Sequence, residues 1–131
     1  MTRKSIHDLG ELQKTIMEII WDLGEATARQ IQEKIGKKKK YAYTSILTMM
    51  QRLEKSGWLK HRKEGNAYIY QPAFSLEQER TRSLKKVTDL VFKGDARLLF
   101  QHLVQAENLS DEDLIALKKI IDEKRKEKNR G

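Results

Sequence analysis

The sequence predicts a mainly α-helical fold with one small two-stranded β-sheet. Before Gly57, apolar residues recur in three segments with the 3.6-residue period of a helix, and three more such segments follow Pro72. Between Gly57 and Pro72 the pattern changes to two short runs that are typical of strands. The single proline among 131 residues agrees with a high helical content, and this length suffices for one domain or two small ones.

The first two helices are marked by capping signals. A first helix is predicted over residues 8–23, with Asp8 as its cap and a stripe of leucines and isoleucines along one side. A second helix is predicted over residues 27–35, because Thr27 and Gln30 have the spacing of a capping box. Glycines follow both segments and are expected to end them.

The third predicted helix covers about residues 41–56 and has one apolar and one polar face. Its apolar face is formed by Ile46, Met49, Met50 and Leu53. The opposite face carries Thr44, Thr48, Gln51 and Lys55, with Arg52 beside them. Hydroxyl and amide groups can bond base edges or phosphate oxygens, and cations can neutralise phosphates. The helix is therefore predicted to place its apolar side in a core and its polar side in the major groove of DNA.

Positive charge is concentrated around this third helix. Residues 37–63 contain nine Lys or Arg and one acid, Glu54, so this segment accounts for the whole net charge of +8. A basic surface of this kind can simply be solvated. Its coincidence with one amphipathic helix favours a polyanion as the partner.

The strand-like runs complete a recognisable motif. They cover residues 58–63 and 67–71, with Glu64-Gly65-Asn66 as a hairpin loop between them. Three helices followed by a hairpin form the winged helix-turn-helix pattern, predicted here for residues 1–74. The residues predicted to bind DNA are Lys38, Lys40, Tyr43, Thr44, Ser45, Thr48, Gln51, Arg52, Lys55, Lys60, Arg62 and Lys63.

Three aromatic side chains of this domain are candidates for packing within the protein. Tyr43 could contact the DNA backbone, or it could pack against the second helix. Trp21 and Trp58 are expected in the core, because an indole ring buries a large apolar area.

Residues 75–131 are predicted to form a helical dimerisation domain. Ser75 and Gln78 have capping-box spacing, Gly94 and Asp95 mark a stop and restart, and Ser110 and Asp113 are expected to open the last helix. Three short amphipathic helices cannot bury their apolar strips alone, so a second copy is expected to cover them. The candidate dimerisation residues are Leu98, Leu99, Leu103, Leu114, Leu117 and Ile121.

Several classes of function have no support in the sequence. The chain has no cysteine, and its three histidines lack the spacing of metal ligands, so no metal site is expected. No nucleophile–base arrangement and no phosphate-binding glycine loop occurs, so we expect neither an enzyme nor a cofactor. No apolar run approaches a membrane span, and no signal pattern opens the chain, so we expect a cytoplasmic protein without membrane insertion.

Four sequence motifs resemble the penicillinase repressor family. They are LGELQ at residues 9–13, IMEIIW at 16–21, AYTSILTMM at 42–50 and YIYQP at 68–72. The resemblance covers residues 6–74 well and implies a homodimeric repressor on a dyad operator. It also implies relief of repression by a membrane sensor-protease system, through cleavage in the dimerisation domain. By alignment on residues 107–110, the cleaved pair would fall near His102 and Leu103, where this chain departs from the family's Asn-Phe pair.

Two functions are compatible with these observations. The first is a dimeric transcriptional repressor of double-stranded operator DNA, relieved by a sensor-linked proteolytic or related signal. The second is a non-enzymatic protein-interaction module that uses the same winged helix. The positive charge around the polar face of the third helix favours the first.

Overall fold

The computed structural model describes residues 6–36 and 40–130. It divides into two compact units, Met1–Lys85 and Lys86–Gly131. The mainly helical fold with a two-stranded antiparallel sheet is confirmed. The elements are α1 (Glu11–Leu23), α2 (Ala28–Ile35), α3 (Tyr43–Lys55), β1 (Leu59–Glu64), β2 (Ala67–Pro72), α4 (Leu76–Val91), α5 (Ala96–Ala106) and α6 (Asp111–Arg130), after a short 3₁₀ helix at Ile6–Asp8.

The first unit has a continuous hydrophobic core between its three N-terminal helices and the hairpin. The fully buried apolar side chains are Ile16, Met17 and Ile20 of α1, Ile31 of α2, Ile46, Met50 and Leu53 of α3, and Trp58. The predicted apolar face of α3 therefore lies in the core, with Met49 partly buried at its margin. Burial of these side chains fixes how α3 is rotated, so its polar face is exposed.

The two tryptophans occupy one aromatic cluster with Phe74. Trp58 is fully buried, and its ring centroid lies 5.0 Å from that of Phe74 and 6.3 Å from that of Trp21. Trp21 is only partly buried, and its Nε1–H donates to the carbonyl oxygen of Phe74 at 2.9 Å. The residues that follow β2 are thereby attached to α1.

The hairpin is joined by a two-residue turn. Glu64 pairs with Ala67 at the end of the ladder, so it belongs to β1 and not to the loop in which the sequence pattern placed it. Gly65 has a φ of 60°, which glycine adopts at the first position of a type II′ turn. On the outer edge of β2, Ala26 and Tyr70 exchange backbone hydrogen bonds of 2.8 and 2.9 Å. The turn between α1 and α2 thus fixes the wing to the helical core.

Most predicted caps are present, and one is wrong. Thr27 and Gln30 bond each other's backbone N–H groups, as do Ser75 and Gln78. The N-cap of α1 is Gly10 and not Asp8, because Ile6–Asp8 form a separate 3₁₀ turn. Helix α3 begins at Tyr43, one or two residues later than the periodicity indicated.

The second unit contains the end of α4 together with α5 and α6. Asp95 caps α5 by accepting from the backbone N–H of Leu98, and Ser110 and Asp113 form a reciprocal cap before α6. Neither α5 nor α6 contains a fully buried side chain. Within the described parts of the chain, no helix is long and apolar enough to cross a membrane.

Candidate nucleic-acid interface

The exposed face of α3 carries the side chains predicted to read DNA. Thr44, Thr48, Gln51 and Lys55 are all exposed, and Ser45 and Arg52 are exposed on one flank. The Thr48 hydroxyl donates to the carbonyl oxygen of Thr44 at 2.7 Å. Because its single proton is used within the helix, this hydroxyl is left with lone pairs that accept a hydrogen bond.

The carboxylate of α3 is held by the wing. Glu54 lies on the flank of α3 that faces the hairpin, and its two oxygens are 2.6 and 2.7 Å from Nδ1 of His61. The His61 ring also contacts the rings of Tyr68 and Tyr70, with centroids 4.9 and 5.5 Å apart. Glu54 therefore contributes to the junction between α3 and the wing. It lies outside the face formed by Thr44, Thr48 and Gln51, which carries no carboxylate.

The hairpin separates its two adjacent cations, Arg62 and Lys63. Successive side chains of a strand point to opposite faces, so Lys63 shares a face with His61, whereas Arg62 points to the other side. Lys63 Nζ lies 5.8 Å from the centre of the Tyr68 ring, which belongs to the same face. Lys60, on the Arg62 side, is exposed.

Arg62 is bound by carboxylates. Its two terminal nitrogens donate to the two oxygens of Glu25 at 3.0 and 2.8 Å, and its Nε lies 3.5 Å from Glu64. Gln71 also donates to Glu25, at 3.3 Å. The hydrogen bonds from Arg62 and then Gln71 lower the pKa of Glu25, and the hydrogen bond to Glu25 raises the pKa of Arg62. The sequence pattern did not indicate this pairing, which engages a guanidinium that was predicted to bind DNA.

Two other predicted cations precede α3. Lys38 lies outside the described residues, whereas Lys40 is exposed in the segment that leads into the helix. Gln32 of α2 donates to the carbonyl oxygen of Tyr41 at 3.0 Å, which fixes the path of this segment. Lys40 is therefore presented close to the first turn of α3.

A groove that the sequence did not indicate lies between α2, α3 and the wing. It has a volume of about 410 Å³, and we call it the tyrosine groove; its principal lining residues are Arg29, Tyr43, Leu47, Asn66, Tyr68 and Tyr70. Tyr43 is 40 % exposed and lies under the guanidinium of Arg29, whose carbon is 5.3 Å from the ring centre. Tyr43 is thus a surface residue that nevertheless contacts α2, so both of its predicted roles are possible together.

The candidate dimerisation residues lie on the surface of the second unit. Leu98, Leu103, Leu114 and Ile121 are 38–46 % exposed, and Leu99 and Leu117 are half-buried. His102 and Leu103 lie in the middle of α5, where the His102 ring contacts Phe92 at 5.5 Å. Among the residues whose positions are described, no group of three or more His, Asp or Glu could hold a metal ion.

Sequence similarity to known proteins extends over most of the chain. Residues 9–123 match the family model described as penicillinase repressor. The chain belongs to the penicillinase repressor family. The methicillin resistance regulatory protein MecI of Staphylococcus aureus (strain N315) is 25 % identical over 118 residues, which cover 90 % of this chain and 96 % of MecI.

Two further members of the penicillinase repressor family illustrate the extent of the similarity. The penicillinase repressor of Bacillus licheniformis is 22 % identical over 125 residues, which cover 95 % of this chain and 98 % of that protein. A solution structure of the DNA-binding domain of the repressor BlaI is 27 % identical, with a TM-score of 0.48, and covers 56 % of this chain and 89 % of that domain. The family membership inferred from the sequence motifs is confirmed, and the family is one of transcriptional repressors.

Proposed function

We propose that this transcriptional repressor acts as a homodimer on a dyad operator, which it binds through α3 and the wing. The observation that carries the proposal is the exposed face of α3, where hydroxyl, amide and cationic groups occur together without a carboxylate. A helix with such a face fits the major groove, where each base pair presents a distinct pattern of donors and acceptors. Thr44, Thr48 and Gln51 are proposed to read the bases.

The cations around α3 are proposed to bind phosphates. Lys40, Arg52, Lys55, Lys60 and Lys63 are all exposed and flank the reading face in the loop, the helix and the wing. Lys38 is included in this set from the sequence alone. Such contacts supply sequence-independent affinity and make binding sensitive to salt.

The second unit supports dimer formation through its exposed apolar strips. With no fully buried side chain in α5 or α6, these helices have little core of their own. A two-fold partner would cover Leu98, Leu99, Leu103, Leu114, Leu117 and Ile121. It would also tether two DNA-binding units, which raises the effective concentration of the second unit at its half-site.

Relief of repression is proposed to follow from cleavage near His102 and Leu103 by a membrane sensor-protease system. A cut there separates α6 from the DNA-binding unit without changing any residue of the interface. The protein would then release the operator, because its two DNA-binding units are no longer tethered to each other. A protease site inserted between these two residues should make operator release depend on added protease.

The proposal is tested with a matched pair of variants on α6. Ile121 belongs to the proposed dimer strip, whereas Ile115 is 62 % exposed and lies about 120° away around the helix. Ile121→Glu should yield monomers in sedimentation velocity and weaken operator binding on the order of a hundredfold. Ile115→Glu should leave both properties unchanged.

Two results would contradict the proposal. If the intact chain is a monomer at micromolar concentration, the dimer argument fails. If the intact chain selects no DNA fragment from its source genome over random DNA, the operator argument fails, and the winged helix would then serve as a protein-interaction module.

A further inference from the structure

The tyrosine groove has a cation on each side. On the helical side, the guanidinium of Arg29 lies over the Tyr43 ring. On the wing side, the ammonium of Lys63 lies over the Tyr68 ring, which is 45 % exposed. Arg29 lines the groove directly, whereas Lys63 is placed beside it through its contact with the lining residue Tyr68. Two cation–aromatic pairs from elements far apart in the sequence therefore lie at one depression.

The charge of the groove has one sign. Among the described residues that line it there is no Asp or Glu. Glu25 and Glu64 contact Arg62 on the other face of the hairpin. Glu54 lies beside the groove, close enough to Tyr70 to act on it electrostatically, but its carboxylate is paired with His61. A groove with cations on both sides and no carboxylate in its lining is complementary to an anionic chain.

We propose that the tyrosine groove seats the sugar-phosphate backbone of one DNA strand, with Arg29 as a phosphate-binding residue of α2. Lys63 binds the same strand from the wing, and Tyr43 and Tyr68 hold the two cations in place. This inference rests on the proposed function, because the strand belongs to the duplex that α3 reads.

The stacked arrangement suits phosphate binding. A guanidinium held over a ring keeps its N–H groups free at its edge, and loses less side-chain freedom when it binds a phosphate. The two exposed tyrosines also present hydroxyl groups that can donate to phosphate oxygens. Tyr43 is thus a positioning residue for Arg29 as well as a possible donor.

The test uses the full chain and a duplex of its selected operator, titrated between 50 and 200 mM salt. Arg29→Gln should lower the slope of log affinity against log salt by about 0.9, so the affinity lost at 50 mM exceeds that lost at 200 mM about 3.5-fold. Lys34→Gln, in the last turn of the same helix, should leave the slope unchanged. Thermal melting of both variants by circular dichroism checks that they fold.

A third variant tests the contribution of the Tyr43 ring separately from that of the Arg29 charge. Tyr43→Leu keeps Arg29 but removes its support, so affinity should fall severalfold while the slope stays within about 0.3 of wild type. If Arg29→Gln folds and has the wild-type slope, the groove does not seat the strand. If wild-type protein itself shows no preference for any selected duplex, the proposed function fails first.

Discussion

The most informative perturbation removes one of two neighbouring cations of the wing. Arg62 and Lys63 have the same formal charge and adjoin each other in β1, yet they face opposite sides of the hairpin. The guanidinium of Arg62 is bound at both ends by Glu25, at 3.0 and 2.8 Å, with Glu64 close to its Nε. Lys63 lies over the exposed Tyr68 ring, on the side of the tyrosine groove.

The expected magnitude follows from counterion release. Each phosphate that a protein neutralises contributes about 0.9 to the slope of log affinity against log salt, which over a fourfold range of salt equals a factor of about 3.5. Lys63→Gln should lower this slope by about 0.9, so the affinity that it loses at the low end of a fourfold salt range should exceed the loss at the high end about 3.5-fold. Arg62→Gln should keep the wild-type slope within about 0.2, because its charge is already balanced by carboxylates.

The assay is fluorescence anisotropy of a labelled operator duplex with the full chain at several salt concentrations. Arg62→Gln should instead lower the midpoint of thermal unfolding, since it removes a link between the wing and the turn before α2. A slope lowered equally by both variants would refute the reasoning, and would mean that Arg62 exchanges Glu25 for a phosphate on binding. If Arg62 exchanges partners in this way, it already binds a phosphate in the wild-type complex. Glu25→Gln, which frees Arg62, should then leave the salt slope no steeper than that of the wild type.

Three further predictions concern readout, packing and pH. Gln51→Ala should narrow the gap between operator and random DNA by about 1–3 kcal/mol in competition titrations, and an equal loss on both DNAs would assign Gln51 to the backbone. Leu53→Ala empties a fully buried position and should lower the free energy of unfolding in urea by about 2–5 kcal/mol, whereas a loss near zero would contradict its place in the core. Burial raises the pKa of Tyr70, so the fold favours the neutral phenol. This contribution to stability is fully present below the unfolded pKa of about 10, and it is lost as the pH rises through the higher folded pKa. Tyr70→Phe should therefore reduce the loss of stability at alkaline pH. An unchanged loss would mean that deprotonation of lysines, and not of Tyr70, causes it.

The elements could be predicted from the sequence because their signals are local. The apolar period of α3 placed Ile46, Met50 and Leu53 in the core, and the structure buries all three. Reciprocal caps at Thr27 and Ser75 depend only on residues three positions apart. A winged helix is built largely from such short-range signals, so its outline was predictable.

The pairings within the interface could not be predicted in this way. Glu25 and Arg62 are 37 positions apart, and Arg29 meets Tyr43 only because α2 packs against α3. A net-charge count treats every lysine and arginine alike, so it included Arg62 with the phosphate-binding cations. Alternation along β1 is a signal that this count left unused, because adjacent residues of a strand, such as Arg62 and Lys63, point to different faces.

Packing of the hydrophobic core determines which cation of the wing faces the tyrosine groove. Leu59 at the start of β1 is buried opposite Pro72, and Tyr70, the partner of His61, is buried on the same face of the hairpin. The backbone bonds between Tyr70 and Ala26 then fix β2 against the turn before α2. A slip of β1 by one residue would expose Leu59 and bring Arg62 to the side of Tyr68 in place of Lys63. The free energy that holds Leu59 inside therefore also holds Lys63 at the groove and Arg62 against Glu25, so a packing mutation at Leu59 should alter salt dependence although it changes no charge.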